Sequence, residues 1–458
     1  MLTQDQKRII ELERQLSCQA LLIETLLGKI SCLESELSVY RTKKDSGNSS
    51  VPPSQDPYRP KRTESLRQRS GRKAGGQVGH EGSCLEMTSE PTEIVKHYPS
   101  YCRCCGRDLS DAVSRFIGRR QVIDIPPVKP IVREEQVYSR QCLCGHVTES
   151  DYPLESHSAV CYGKNLQSLT AYFHARQYIP YERMREMYSD IFGLQISCGG
   201  LVNMVQTFSE KAFGIYELIR QRVAQSTVVG ADETGNCIRG KNAWAWVFQT
   251  PKATYIHSDK SRSKTVIEQL FPQGFPQTVL VHDCWTSYFG VEAKSHQICT
   301  SHLLRELKYL GKLYPQQQWS DEFTALLHQA LDLKKNMSPV DYLQPVKKRT
   351  ELEKQLETLL EKGINPQYHK LRVFQERIIK YRNYLFSFLY HHQVPPDNNA
   401  SERAVRTFKV KQKVSGLFRS DEGAKAFAVI RSVIDTAIKN SQNVLQVLSL
   451  IPIVNKSE

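Results

Sequence analysis

Three acidic residues stand where they could do chemistry together. Asp232 follows the apolar run Val228-Val229-Gly230-Ala231, and Asp283 follows Val279-Leu280-Val281-His282. Each run reads as a buried strand with its acid at or just past the end. Glu402 lies on a predicted helix that starts after Pro395-Pro396, with Asp397 or Asn398 as its cap. Two acids at strand ends and one on a later helix can converge on one cleft. There they would hold two Mg²⁺ or Mn²⁺ ions about 4 Å apart, one activating an attacking oxygen and the other stabilising the leaving oxygen. Carboxylate oxygens suit such hard cations. Other readings stay open: an aspartate after a strand also serves as a turn or helix cap, Glu233 and Asp397 are rivals by position, and a glycosidase uses a pair of carboxylates.

Downstream of Glu402 come Arg403, Arg406, Lys409, Lys411, Lys413 and Arg419, with no acid between them. Arg406 lies one helical turn beyond Glu402, on the same side. Cations this close to an acidic cleft suit a polyanion brought to bound metal. Phe408, Val410, Val414, Leu417 and Phe418 interleave with them, so the segment is not simply a solvated face. A second basic run includes Arg59, Lys61, Arg62, Arg67, Arg69, Arg72 and Lys73, in a stretch broken by Pro52, Pro53, Pro57 and Pro60 and by glycines. It reads as a flexible arm able to track a phosphate backbone, or as a plain linker. Over the whole chain 62 Lys and Arg outnumber 48 Asp and Glu, a net charge of +14. Such a balance favours a nucleic-acid partner, because each neutralised phosphate releases counterions.

Two cysteine clusters form a separate constellation. Cys102-x-x-Cys105-Gly and Cys142-x-Cys144-Gly can supply the four thiolates of a tetrahedral zinc, with Cys104 spare and His146 an alternative ligand. The competing reading is a set of unligated thiols. No signal peptide or apolar span long enough for a membrane is legible, so the chain reads as cytosolic, where thiols stay reduced.

These sites need elements to position them. Residues 2–40 carry a heptad repeat, with Leu2, Ile9, Leu16, Ile23, Ile30 and Leu37 at one seam position and Leu12, Gln19, Leu26, Leu33 and Tyr40 at the other. The pattern predicts a parallel coiled-coil dimer. The segments divide as a coiled coil over 1–42, a basic arm over 43–85 and a zinc-binding domain over 86–155. A helical DNA-binding or connecting region follows over 156–225, with Leu166, Leu169, Tyr172 and Phe173 on one face. Strands are expected at 226–231, 243–249, 254–257 and 278–282, with a helix at 263–270. The first part of an α/β core then spans 226–302, a helical insertion 303–394, final core helices 395–440 and a tail 441–458.

At these residues the chain resembles the DDE transposases of the insertion-sequence-sixty-six family, specifically the large TnpC-type subunit. The matching segments run in order: the N-terminal zipper, GRKAGGQVGHEG at 71–82, the cysteine pairs, GADETG at 230–235 and NAWAWVF at 242–248. HDCWTSYF at 282–289, CTSHLLRELKYL at 299–310 and PPDNNASERAVRTFKVKQKVSGLFRS at 395–420 complete the set. The resemblance implies a ribonuclease-H-like fold with a helical insertion between the second and third acids. It implies Asp232, Asp283 and Glu402 as the catalytic, Mg²⁺- or Mn²⁺-binding triad, and cleavage and strand transfer of double-stranded DNA at the element's terminal repeats. It further implies a homo-oligomer, possible accessory transposition proteins, and a nucleoid-associated place in a bacterial cytoplasm. The alternative is a catalytically silent, transposase-derived DNA-binding regulator. Cys299-x-x-His302 looks like a pair found near the active site in several DDE transposase groups, although Cys299 also reads as a buried core thiol. Cys104 and Val78 depart from the family's usual pattern.

Overall fold

The computed structural model describes residues 4–41, 85–153, 156 and 158–453. The basic arm with Arg59, Lys61, Arg62, Arg67, Arg69, Arg72 and Lys73, and the glycine-rich motif at 71–82, lie outside the described residues. The chain divides into two compact units, residues 60–131 on one hand and 1–59 with 132–458 on the other. This boundary falls inside the expected zinc domain, so its two cysteine pairs belong to different units.

The heptad segment forms one helix, α1 (Gln4–Arg41). Leu12, Leu16, Ile23, Leu26, Ile30, Leu33 and Leu37 are all roughly half exposed or more on the single chain.

In the smaller unit, Cys102 and Gly106 close a tight turn: the Gly106 amide donates to the Cys102 carbonyl at 2.9 Å, and Gly106 takes a φ of +74°. The other cysteine pair forms the turn of a short hairpin, β1 (Ser139–Gln141) with β2 (Val147–Glu149). There the Gly145 amide donates to the Cys142 carbonyl at 2.8 Å, with a φ of +87°. Glycine follows each pair because the turn needs a left-handed residue.

The larger unit is built on a five-stranded mixed sheet. Its strands are β3 (Val228–Ile238), β4 (Lys241–Gln249), β5 (Thr254–Asp259), β6 (Phe275–His282) and β7 (Ala293–Ile298), in the order β5-β4-β3-β6-β7. The first three form an antiparallel meander. β6 and β7 add in parallel, their chain crossing over through α6 (Lys264–Leu270) and α7 (Thr286–Phe289). Before the sheet come α2 (Lys164–Ala175), α3 (Tyr181–Phe192), α4 (Cys198–Lys211) and α5 (Phe213–Ala224). After it come α8 (Thr300–Leu313), α9 (Trp319–Asn336), α10 (Lys347–Glu361), α11 (His369–Tyr381) and α12 (Ser387–Tyr390), then α13 (Asn399–Ser415), α14 (Asp421–Lys439) and α15 (Val444–Leu450). On α2 the fully buried positions include the polar Ser168, Thr170 and His174. Leu166, Leu169, Tyr172 and Phe173 are only partly covered, because neighbouring helices satisfy the hydroxyls, as Tyr188 does for Thr170 at 2.7 Å.

The buried residues of the sheet fall into two clusters. Strand residues alternate between faces. In one cluster Trp246 and Phe248, on the face of Val229 and Ala231, meet Tyr288 and Phe271, while Phe408 meets Phe427. The other joins Val279, Val281 and Ile298 to Leu303, Phe323, Phe374 and Phe388 of the helical insertion. The insertion is pinned to β7 by Gln297, whose amide nitrogen donates to the Leu385 carbonyl at 3.0 Å and whose oxygen accepts from the Phe388 amide at 2.9 Å.

One contact sets where α13 begins. A Cβ built on Gly230 would lie 2.5 Å from Ser401 Oγ, 2.6 Å from Gln249 Nε2 and 2.9 Å from Asn398 Oδ1. The bare backbone of Gly230 is therefore what lets the helix terminus touch the strand. Gly230→Ala should cost about 1–3 kcal/mol by overpacking. A thermal melt of the variant against the parent checks this, and an unchanged midpoint would mean the helix end is free to move away.

Candidate active site

Asp232 does not sit at a strand end. β3 runs on through it to Ile238, because pairing with β4 continues after pairing with β6 has stopped at Gly230. The local cause is the β3–β4 hairpin at Arg239 and Gly240, which carries the strand past the point where β6 turns away. Asp283 is placed as expected, immediately after β6. The parallel register aligns Val228 with Val279 and Gly230 with Val281, so the next step in phase aligns Asp232 with Asp283. The two carboxyls lie close enough that the charge of Asp283 acts on Asp232.

Glu402 reaches the Asp232 face through α13. The missing Cβ of Gly230 would point at Asn398 and Ser401, so the helix starts over the face that carries Asp232. Asn398 fastens it: its Nδ2 donates to the Ala231 carbonyl at 2.7 Å, its backbone amide to Cys299 Sγ at 3.2 Å, and its Oδ1 accepts from Ser401 Oγ at 2.6 Å. Asn398 thus occupies the helix cap position, but its side chain bonds the strand carbonyl and the Ser401 hydroxyl instead of a backbone amide of the first turn. Asp397 Oδ1 accepts from the Asn399 amide at 3.0 Å, an Asx turn that leads into the helix. Behind the loop, the Thr300 amide and hydroxyl both donate to the Pro396 carbonyl at 3.0 Å.

The electrostatics follow from burial. Desolvation, then the charges of Glu233, Asp283 and Glu402, hold the Asp232 carboxyl well above the usual carboxylate range. Desolvation and Glu233 push Asp283 up to about 6, against the Trp285 amide that donates to its Oδ1 at 3.1 Å. The rival Glu233 points to the opposite face and is already engaged. Arg262 donates to its Oε1 from Nε at 2.9 Å and Nη2 at 2.6 Å, and the Tyr288 hydroxyl donates to Oε2. Arg262 is itself stacked over Trp244 and Trp285 at 4.7 and 4.6 Å. Asp232 and Asp283 offer buried oxygens short of positive charge, the donor chemistry a hard divalent cation takes.

Around Glu402 stand residues to which the acid motif gave no role. Arg305 Nη2 donates to its Oε1 at 3.0 Å, His302 Nδ1 lies 3.7 Å from the same oxygen, and Arg406 Nη2 lies 3.7 Å from Oε2. Arg305 shares one face of α8 with His302 by their three-residue spacing, and His302 belongs to the Cys299-x-x-His302 pair already read from the sequence. Cys299, His302 and Glu402 have donor atoms all within 4.8 Å of one another. Cys299 is fully buried.

The basic residues of α13 divide. Arg403, Arg406 and Lys413 are exposed, as is Arg419 beyond the helix. Lys409 is half-buried and donates to the Gly235 carbonyl. Lys411 is buried, with Nζ 3.5 Å from His174 Nδ1 and stacked over Phe427, and burial pulls its pKa down to about 8. It was expected on a phosphate-binding surface; its position on the core side of α13, between Thr407 and Phe408 on one side and Phe427 on the other, takes it into the interior.

Fold and site together define an α/β protein with an acidic pair on one face of a mixed sheet and a third acid brought to that face by a clamped helix. Residues 159–426 match the family model for the IS66 family of transposases, a span that includes all three acids. The chain belongs to the IS66 transposase family. No curated protein matches it at a significant level. Among the described residues no helix is long and apolar enough to cross a membrane.

The raised Asp283 pKa has a stability consequence of definite sign. The folded carboxyl binds its proton more tightly than the unfolded one, so its contribution is full below about pH 4 and is lost as pH rises through about 6. The loss amounts to about 3 kcal/mol at pH 7. In chelator, Asp283→Asn should therefore gain on the parent as pH rises from 4 to 7, followed by thermal melting. A variant that melts below the parent by the same margin at both pH values would refute the strained carboxylate.

Proposed function

We propose that this protein is an active DDE transposase, in which Asp232, Asp283 and Glu402 hold two Mg²⁺ or Mn²⁺ ions for cleavage and strand transfer of double-stranded DNA. The observation that carries the reading is the in-phase alignment of Asp232 with Asp283, on the face to which Gly230 and Asn398 admit the start of α13. The mixed sheet, with its antiparallel meander followed by two parallel strands, is read as ribonuclease-H-like. Bound divalent ions would supply Lewis-acid activation of the attacking oxygen, water for cleavage and a 3′-hydroxyl for transfer, and charge stabilisation at the leaving oxygen.

This chain's own residues contribute position and charge. The two strands fix the acids, the buried setting leaves them short of compensating charge, and Asn398 fixes the helix that carries Glu402. Exposed Arg403, Arg406 and Lys413 are proposed to meet DNA phosphates beside the cleft, together with the basic arm at 59–73; Lys411 is left out of that set. The exposed apolar stripe of α1 is proposed to pair two chains. Each cysteine turn offers two thiols beside a glycine kink, and hydrogen bonds from backbone amides lower the Cys102 and Cys142 pKa, which favours thiolate; we assign these cysteines to structural zinc.

Asp232→Asn, Asp283→Asn and Glu402→Gln should each abolish Mn²⁺-dependent cleavage of the element's terminal repeats, with binding to the same DNA retained. Parental cleavage by any of the three would end the catalytic assignment, and parental DNA cleaved by no preparation would favour the silent regulator. For zinc, freshly purified protein should carry about one equivalent per chain, lost in the double variant Cys102→Ser/Cys142→Ser. Elemental analysis finding none in the parent would overturn that part.

A further inference from the structure

Glu402 belongs to two sets of ligands. One is the acidic triad. The other is the Cys299, His302 and Glu402 group, whose donor atoms lie within 4.8 Å of one another. Cys299 is the cap residue of α8 and His302 stands one turn later, so the helix start holds sulfur and imidazole on one face. Two backbone amides aim at the sulfur, those of Asn398 and His302, as they do where a thiolate binds metal. His302 Nδ1 is buried and has no hydrogen-bond partner. A buried ring nitrogen without a partner needs an explanation, and a Glu402 oxygen lies 3.7 Å away.

We propose that Cys299, His302 and Glu402 form a binding site for a thiophilic divalent cation of the zinc class, and that its occupation withdraws Glu402 from Asp232 and Asp283 and stops cleavage. The inhibitory half rests on the reading of Glu402 as the third catalytic acid; the metal site does not. One sulfur, one nitrogen and one oxygen, with a fourth position open to solvent, make a donor set that zinc or cobalt accepts. Mg²⁺ does not compete there, since it demands oxygen ligands in an octahedron. Bonds of about 2.0–2.3 Å put tetrahedral donors about 3.5 Å apart, so closing the site takes side-chain movements of about an ångström. Arg305, which holds Glu402 Oε1 at 3.0 Å, is 30% exposed and can swing into solvent as the cation replaces its charge. Binding releases the Cys299 proton to solvent, and the thiolate and carboxylate together neutralise the ion.

The test is a cobalt titration of the full-length protein purified with its own zinc in place, so that the cysteine turns are already filled. A thiolate-to-cobalt charge-transfer band should appear and saturate near one equivalent. It should be lost in Cys299→Ser, weaken about tenfold or more in apparent affinity in His302→Gln, and persist in Asp232→Asn. Should Cys299→Ser fail to fold by circular dichroism, His302→Gln, at a partly exposed position, decides in its place. Identical titrations of the parent and these variants would overturn the site. In parallel, Zn²⁺ added to the Mg²⁺-dependent cleavage reaction should inhibit the parent and require about tenfold more metal in Cys299→Ser. A band that disappears with Cys299→Ser, beside cleavage that zinc leaves untouched, would support the metal site and overturn its inhibitory role, while loss or retention of cleavage in Glu402→Gln decides the catalytic reading separately.

Discussion

The structure depends on a contact between a helix terminus and a strand that has no side chain to keep it away. At Gly230 the backbone of β3 is bare, and Asn398, Ser401 and Gln249 fill the space a Cβ would take. Asn398 then bonds the Ala231 carbonyl, the Cys299 sulfur and the Ser401 hydroxyl at once. Three segments far apart in the chain, β3, the start of α8 and the start of α13, are tied at this one residue. Any larger residue at 230 would lift α13 off the sheet, and Glu402 with it.

The cost of that assembly is electrostatic. Burial places Asp232 and Asp283 close together where neither is well solvated, and Glu233 adds a third negative charge nearby. The protein's arginines are shared unevenly among these acids. Arg262, supported by two tryptophans, takes Glu233, and Arg305 takes Glu402, while Asp283 has only the Trp285 amide and more distant arginines. This division separates a carboxylate held by a guanidinium from one that is not when both stand next to each other in sequence, as Glu233 and Asp232 do. Alternation along the strand sends the first toward Tyr288 and the second to the other face.

The same neighbourhood also gathers buried imidazoles. His282 and His296 meet at 3.0 Å beneath Phe289 and Tyr384, and burial pulls them down to about 3 and 4. Their folded pKa values lie below the unfolded 6.5, so they contribute stability that is lost as pH falls from about 6.5 toward 4. That slope opposes the one from Asp283, and the two together favour mildly acidic to neutral conditions for the ion-free fold.

Much of the molecule was legible in the chain. Periodicity gave the helix at 4–41, apolar runs gave the strands around 228, 244, 254 and 279, and the acid-bearing motifs gave the family to which residues 159–426 are matched. Local sequence carries such features because strand and helix alternation are properties of neighbouring residues. What it misjudged were matters of partnership. Asp232 was expected at a strand end, but strand length is set by β4, which the sequence does not rank above β6. Lys411 was expected on a basic surface, but which side of α13 faces the core is decided by Phe427 and His174, remote in sequence. Around Glu402 the sequence offered Cys299 and His302 only through resemblance and did not single out Arg305, since sulfur, imidazole and guanidinium come from α8 and the acid from α13. The sequence by itself determined which residue types are present and how each element is phased. Only the tertiary structure decided which of them share a face, because register and helix approach depend on contacts between segments that no local pattern records.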